Sequence, residues 1–362
     1  MESKTRPKKK ALYNMTIPII FCKTMIVLAT LWSCQDTETS TTTFLPIEGN
    51  TMGTTYHIIY ETTASDIDLK PKVDSVLAQL NMAVSTYIPE SIISRLNRGE
   101  NIDTEKEDRD IIDFFKTNIN TAKRIFQATD GYFDPTVMPL VNYYGFGYAK
   151  RNKVEEIDTA HIADLMKGVG FQKIMSAFDA TVWKIPSHVE LDLSAIAKGG
   201  AVDYLMNYFL SLGFDNFMIE IGGETYGRGG GRAGKGWIIG INTPKEHALA
   251  TDIFDKVVLK NKAIATSGNY RNFYEVDGHK YAHTINPKTG FFEQKNVISA
   301  TVLADDCASA DALATACVAA GLDQSKEFFK NYSEAEAYLL YNNGSDSLLI
   351  YQTAAMDTYK FN

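Results

Sequence analysis

Val189-Glu190-Leu191-Asp192-Leu193 alternates apolar and acidic residues and runs without a break into Ser194-Ala195-Ile196-Ala197-Lys198-Gly199-Gly200. After Gly213 the chain resumes with Phe217-Met218-Ile219-Glu220-Ile221 and then Gly222-Gly223-Glu224. The alternation predicts a strand over 189–193, helical spacing predicts a helix from about Ala197 to Leu212, and Phe217 to Ile221 reads as a second strand. A strand-to-helix junction of this kind presents backbone groups and a terminal charge at one spot.

The flanks decide what this unit belongs to. A dinucleotide-binding Rossmann domain would repeat it, and the flanks do not. Upstream, Thr55 to Tyr60 reads as a strand, and residues 70–83 read as a helix through Val73, Val76, Leu77 and Leu80. Ile111 to Ala128 forms a second helix closed by Asp130-Gly131, Tyr143 to Tyr148 a packed loop, and 160–170 a short helix. Val182 to Ile185 is expected to pair with Val189 to Leu193 around Pro186-Ser187. Downstream, strands are expected at Gly236 to Ile241, Val257 to Leu259, Ala263 to Ala265 and Ile298 to Ala304, with a loop over 268–295. Helices at 308–320 and 325–331 and strands at 337–341 and 347–351 complete the chain. This order predicts an α+β fold, layered and mixed α/β, neither Rossmann nor an all-β barrel.

Charge divides the 362 residues unevenly. The first 33 carry Lys4, Arg6, Lys8, Lys9, Lys10 and Lys23 against Glu2 alone, and the remainder is strongly acidic, so that the whole chain stands at −8. An acidic body excludes a general nucleic-acid binder, which needs clustered positive charge. The basic start leads into Ile17 to Cys22 and, past Lys23, Met25 to Leu31. That order is a signal-peptide order, and Lys23 keeps either apolar part below the roughly 18–20 residues of a spanning helix. Leu31-Trp32-Ser33-Cys34 resembles a bacterial lipobox. Gln35 to Thr43 is a polar tether with no apolar face. The expected layout is a signal peptide over 1–33, a lipidated Cys34 and tether over 34–47, and a catalytic body of two packed lobes over 48–362. Cys307 and Cys317 then read as small buried hydrophobes rather than a disulfide or zinc pair.

Four constellations could carry chemistry. Asp311 and Thr315 stand four apart on one face of a small-residue helix, and a carboxylate with a hydroxyl suits Mg²⁺. Equally, Asp311 is an acid near a helix N-terminus. In Asp192 to Gly200, Ser194 could cap the helix and Lys198 could be solvated. The glycines around Gly222-Gly223-Glu224 fit neither a P-loop nor a dinucleotide fingerprint, and by themselves read as a hairpin loop. Asn286 to Gly290 has turn chemistry that would hold His283, a residue able to act as a base near neutral pH, just ahead of it. His57, His161, His188 and His247 lack metal-ligand spacing.

Six segments occur in an order that resembles the FAD:protein FMN transferase family, across roughly residues 48–345. They are Thr51-Met52-Gly53-Thr54, Asp130 to Thr136, Asp192 to Gly199, Ile221 to Glu224, His283 to Gly290 and Ala310 to Thr315. The resemblance implies a two-lobed fold with FAD in the cleft between the lobes. It also implies that Met52, Tyr87, Tyr132, Phe133, Asp134, Asp192, Lys198 and Ile285 contact the flavin dinucleotide. Mg²⁺ would be held by the Ala195 carbonyl with Asp311 and Thr315, and His283 and Asp192 would serve the transfer. The chain departs from the common family pattern at Met138, Gly200 and Asn286.

The implied reaction is Mg²⁺-dependent. A Ser or Thr hydroxyl of an acceptor flavoprotein attacks the FMN phosphorus of FAD, leaving a phosphoester-linked flavin and releasing AMP. The implied acceptors are subunits of respiratory electron-transfer complexes that bear covalent FMN. The implied location is the periplasmic, extracytoplasmic side of a membrane, anchored by lipid at Cys34. The alternatives are an FAD pyrophosphatase that yields free FMN and AMP, and a flavin-binding lipoprotein without catalysis.

Overall fold

A computed structural model describes residues 42–361 apart from 64–67, 149–156, 246–248, 250, 270–272, 277–278, 283, 294 and 345–346, with the side chains of 273–276 and 279–282 also left aside. Cys34 and the expected signal peptide lie outside the described residues, and so does His283.

The described residues open with a hairpin, β1 (Thr43–Thr51) and β2 (Thr54–Thr62), and β1 lies partly inside the stretch expected to be tether. Met52 and Gly53 link the strands, both with left-handed φ (+49° and +74°), the backbone a two-residue type I′ hairpin turn demands. Helix α1 (Lys70–Val84) follows, with Pro71 in its first turn, where a missing N–H leaves no bond unmade. Next come α2 (Ile92–Asn97), β3 (Ile102–Asp103) and α3 (Arg109–Ala128). Asp108 caps α3 by accepting from the N–H groups of Asp110 and Ile111. After α4 (Met138–Tyr143), α5 (Thr159–Leu165) and β4 (Val182–Trp183) comes the long α6 (Ser194–Ser211).

The second half supplies β5 (Phe217–Ile221), β6 (Glu224–Arg228), β7 (Trp237–Asn242), β8 (Ile253–Leu259), β9 (Lys262–Gly268), β10 (Phe273–Val276), β11 (His279–Ala282) and β12 (Val297–Ala304). Helices α7 (Cys307–Ala320) and α8 (Leu322–Asn331) precede β13 (Glu336–Tyr341) and β14 (Leu349–Gln352). Eight strands form one sheet in the order β1-β2-β5-β6-β9-β12-β13-β14, and every neighbouring pair is antiparallel. An antiparallel sheet confirms the α+β reading and is incompatible with a Rossmann domain.

The two faces of this sheet are separated by strand alternation. Phe217, Ile219, Ile221, Ala263, Ala265, Val302 and Leu339 point to one face and join the main core with α1, α3, α6 and α7. Ile264, Leu303, Tyr338 and Leu340 point to the other, where Trp237, Ile241, Val257 and Leu259 of the β7–β8 ribbon cover them. Each such side chain, fully buried, stabilises the fold by about 1.5–3 kcal/mol. Helix α7 is buried at every residue except Thr315, as a helix with small or apolar residues on nearly every side must be.

Several sequence expectations change here. Residues 189–193 do not form a strand: β4 pairs with β3 instead. The backbone of 189–193 finds other partners, since Leu191 N–H donates to Asn97 Oδ1 (2.7 Å), Asn97 Nδ2 donates to the Leu191 carbonyl (2.9 Å) and Asp192 N–H donates to the Pro135 carbonyl (2.7 Å). The helix that follows begins at Ser194, three residues early. Its Leu193 N-cap makes no side-chain bond, and it is Asp192 Oδ1 that receives the Ser194 N–H. Strand β6 occupies sequence read as a glycine-rich turn, β8 leaves the main sheet for β7, and the loop over 268–295 contains the β10–β11 hairpin. Cys307 and Cys317 are buried and free, as expected.

Candidate functional site

The site grows from the place where α6 and α7 touch. A Cβ on Gly199 would lie 2.3 Å from the Cys307 carbonyl oxygen and 2.7 Å from the Ala308 nitrogen, so only glycine admits this approach. Asp203, one turn further along α6, accepts from the N–H groups of Cys307 and Ala308 and ties the two helices at the start of α7. Gly200 lies against Asn118 of α3, whose side-chain Oδ1 would sit 2.5 Å from an added Cβ and would have to move for any larger residue.

This contact brings Asp311 of α7 beside the first turn of α6. Gly199 N–H donates to Asp311 Oδ2 at 3.2 Å. A regular helix directs that same N–H to the carbonyl of Ala195, so carboxylate and carbonyl converge. Thr315 lies one turn on, its hydroxyl sharing a 3.1 Å hydrogen bond with Ser267 of β9. Lys198 Nζ stands 3.6 Å from Asp311 Oδ2, 3.4 Å from Glu224 Oε1 and 3.4 Å from the Ser194 carbonyl. Lys198 is therefore not a solvated lysine, and Asp311 is not merely an acid at a helix start, since Asp306 holds the cap.

Asp311 and Glu224 are both buried, and with Lys198 they carry one surplus negative charge when all are ionised. Burial pushes both carboxyls above their ordinary range, with Lys198 pulling against it in each. Burial also disfavours the ammonium, but Asp311 and Glu224 outweigh it and raise the Lys198 pKa above the ordinary lysine value. Glu224 Oε2 is buried and has no hydrogen-bond partner among the described residues.

A cavity of about 760 Å³ opens from this charged end. Its lining includes Ala195, Lys198, Asp311 and Thr315, together with Tyr87, Tyr132, Phe133, Asp134, Asp192 and Ile285 from other elements. Tyr87 stands at the rim, 72% exposed. Asp192 faces the cavity with Oδ1 held by the Ser194 N–H. Met52 is not among the lining residues; it packs against the main core from the β1–β2 turn.

The wall opposite is made of loops, stapled by side chains. Asp134 is buried and accepts from Thr136 N–H (2.8 Å), Thr136 Oγ1 (2.5 Å) and Phe171 N–H (3.1 Å). Burial nevertheless raises its pKa. Asn286 Oδ1 accepts from the Lys288 N–H and forms the expected turn, so asparagine serves that turn in place of the family's frequent aspartate. Ile285 packs with Leu140, Tyr144 and Ile162, Met138 lines the cavity from α4, and Tyr144 Oη donates to the Gly290 carbonyl. Lys288 reaches back to Asp130 and lies 4.6 Å from the Tyr132 ring centroid.

Two lining residues had no role in the sequence reading. Glu224 stands in the segment Ile221 to Glu224, which counted toward the resemblance and for its glycines, and Ser267 in the stretch Thr266 to Arg271 ahead of His283, with no role assigned to either side chain. Gly222 (φ +61°) and Gly223 (φ +105°) just before Glu224 were the available signal, because such a turn aims the next side chain rather than leaving it to mobile loop.

Comparison with known proteins agrees with this architecture. The flavin transferase ApbE from Vibrio cholerae superposes with a TM-score of 0.76 at 30% identity, over 88% of this chain and 100% of that one. The apo flavinyl transferase ApbE of Pseudomonas stutzeri gives 0.74 at 26% identity, over 88% and 97%. The fold is thus one shared with solved flavin transferases. The FAD:protein FMN transferase of Haemophilus influenzae is 36% identical over 296 residues, 79% of this chain and 83% of the relative. The Vibrio cholerae serotype O1 protein of the same description is 36% identical over 279 residues, 76% and 81%. The sequence model of the ApbE family matches residues 52–339, and the chain belongs to that family.

Proposed function

We propose that FAD lies in the 760 Å³ cavity with its pyrophosphate at the Lys198 end, and that FMN passes from there to an acceptor hydroxyl. As a member of its family the chain is an enzyme that moves FMN from FAD to an acceptor protein. The observation that carries the placement is an ammonium between two buried carboxylates in the lining of a cavity that also presents Tyr87, Tyr132 and Phe133.

Among the described residues no three His, Cys, Asp or Glu side chains gather as metal ligands. The resemblance assigns a cation to Asp311, Thr315 and the Ala195 carbonyl, and that hard oxygen set suits Mg²⁺. The surplus negative charge of the Asp311, Glu224 and Lys198 cluster fits a divalent cation there. Mg²⁺, when bound, supplies positive charge to offset the pyrophosphate and the departing AMP.

The chain's own residues account for the rest. Lys198 meets a phosphate oxygen, Asp192 contacts the dinucleotide beside the α6 start, and Tyr87, Tyr132, Phe133, Ile285 and the Asp134-braced loop shape the flavin side. The acceptor oxygen bonds to the FMN phosphorus as the bond to the bridging pyrophosphate oxygen breaks. AMP leaves with that oxygen, and the hydroxyl proton passes to His283. The acceptors in this reading are subunits of respiratory electron-transfer complexes.

The decisive experiment mixes the enzyme with FAD, Mg²⁺ and such a subunit. The expected result is an acceptor heavier by one FMN phosphoester, fluorescent after denaturation, with AMP released in equal amount. AMP with free FMN and no labelling would replace transfer by hydrolysis, and retained FAD with neither product would leave a binding protein. No helix among the described residues is long and apolar enough to cross a membrane. We place the catalytic body, residues 48–362 with two lobes meeting at the cavity, on the extracytoplasmic side, anchored by lipid at Cys34 after loss of 1–33. Intact-mass analysis of the membrane fraction should find an acylated Cys34 as first residue, and a chain retaining Met1 would refute the anchor.

A further inference from the structure

We propose that Glu224 is a positioning residue for Lys198: it draws the ammonium away from Asp311 so that a divalent cation can take the Asp311 carboxylate. The inference rests on the reading of Asp311 as a cation ligand. Lys198 Nζ stands 3.6 Å from Asp311 Oδ2 and so already occupies, as a charge, the neighbourhood a metal ion would need. Two cations cannot share that carboxylate without strong repulsion. The ammonium needs a second seat, and Glu224 Oε1 offers one at 3.4 Å.

The surroundings of Glu224 are built for this. Its carboxyl is 5% exposed, and its second oxygen has no hydrogen-bond partner among the described residues. A buried carboxylate with an unused oxygen is costly unless another partner arrives. An ammonium that moves fully onto Glu224 can engage both oxygens. The turn ahead of it lies close to the lysine stem: a Cβ on Gly222 would sit 2.7 Å from Thr54 Cγ2 and 3.3 Å from Lys198 Cδ. Glu220 Oε1 accepts the Gly223 N–H at 2.5 Å and pins that turn. Ser194 offers its carbonyl at 3.4 Å, but a neutral acceptor cannot compete with Asp311 for the ammonium.

The test is Mg²⁺ titration by calorimetry on the enzyme without FAD, comparing wild type, E224Q, K198M and the double variant. Glutamine keeps the shape of Glu224, and an unchanged melting temperature checks the fold. E224Q is expected to weaken Mg²⁺ binding roughly 10-fold or more, the size of effect usual for residues that act behind a metal ligand. K198M should bind at least as tightly as wild type. The double variant should recover to about the wild-type level, because the competitor has gone with its seat. E224Q binding like wild type would overturn the proposal. So would a double variant as weak as E224Q, which would make Glu224 a cation ligand in its own right. D311N binding Mg²⁺ as wild type does would instead sink the cation-ligand reading on which this one stands.

Discussion

The α6–α7 junction and the loop wall across the cavity solve the same problem by different means. At the junction, two helices meet backbone to backbone through Gly199, and polar groups are set by the helices themselves: Asp311, Thr315, Lys198 and the Ala195 carbonyl all ride on regular turns. The wall has little regular structure: Asp134, Tyr144 and Lys288 hold it by bonds to distant backbone or side chains, and Asn286 closes a local turn. Rigid helices suit the charged end, where an error of about 1 Å in a reacting group is expensive. A stapled loop wall suits an aromatic surface that needs shape more than exact charge placement.

The largest effect should follow from emptying the junction of its charge. Asp311→Asn keeps an acceptor for the Gly199 N–H, so folding should hold while FMN transfer falls roughly 10²–10³-fold, the scale of a lost electrostatic contact in a transition state. A fall of only a few-fold, read by acceptor labelling, would move the chemistry away from the junction.

Gly199→Ala tests the junction's rigidity. The new methyl meets the Cys307–Ala308 peptide at the start of α7, so the fold should lose about 1–3 kcal/mol in denaturant unfolding, with activity falling alongside. Asp134→Asn tests the wall. It leaves an amide where three donors converge and should cost about 1–3 kcal/mol while reducing FAD affinity more than the transfer rate at saturating FAD. If the wall instead controls the rate, the contrast between the two regions fails.

The pH dependence separates them further. Burial, with Asp306 adding to it, pushes the Asp203 carboxyl up to about 8. Its folded pKa is above the unfolded one, so the folded state holds the proton longer, and this contribution is fully present below about pH 4 and is lost as pH rises to about 8. Melting temperatures should therefore decline from pH 5 to 8 in the wild type and less steeply in Asp203→Asn. An equal slope in both would show that the acid is ionised throughout. The smallest effect belongs to the rim: Tyr87→Ala removes a ring 72% exposed, and stability should change by no more than about 0.5 kcal/mol, with only FAD affinity moving.

Much of this was legible in the chain alone. The spans of α1, α3 and α7 follow from apolar spacing and from caps within a few residues, because helical hydrogen bonds are local. The order of Asp192, Lys198, Asp311 and Thr315 with their small neighbours marked the segments that meet in the cavity, and the acidic body already argued against nucleic acid. What tertiary structure decided is what depends on partners far along the chain. Residues 189–193 alternate like a strand, yet Asn97, some 94 positions away, claims both backbone groups of Leu191. β8 carries ordinary strand residues, and only the sheet's second face determines that it pairs with β7 and covers Ile264 and Tyr338. Glu224 reads as the end of a glycine turn until β6, α6 and α7 bring it to Lys198 and bury it. Burial and charge pairing are properties of neighbours in space, and those neighbours exist only once the sheet has closed over its helices.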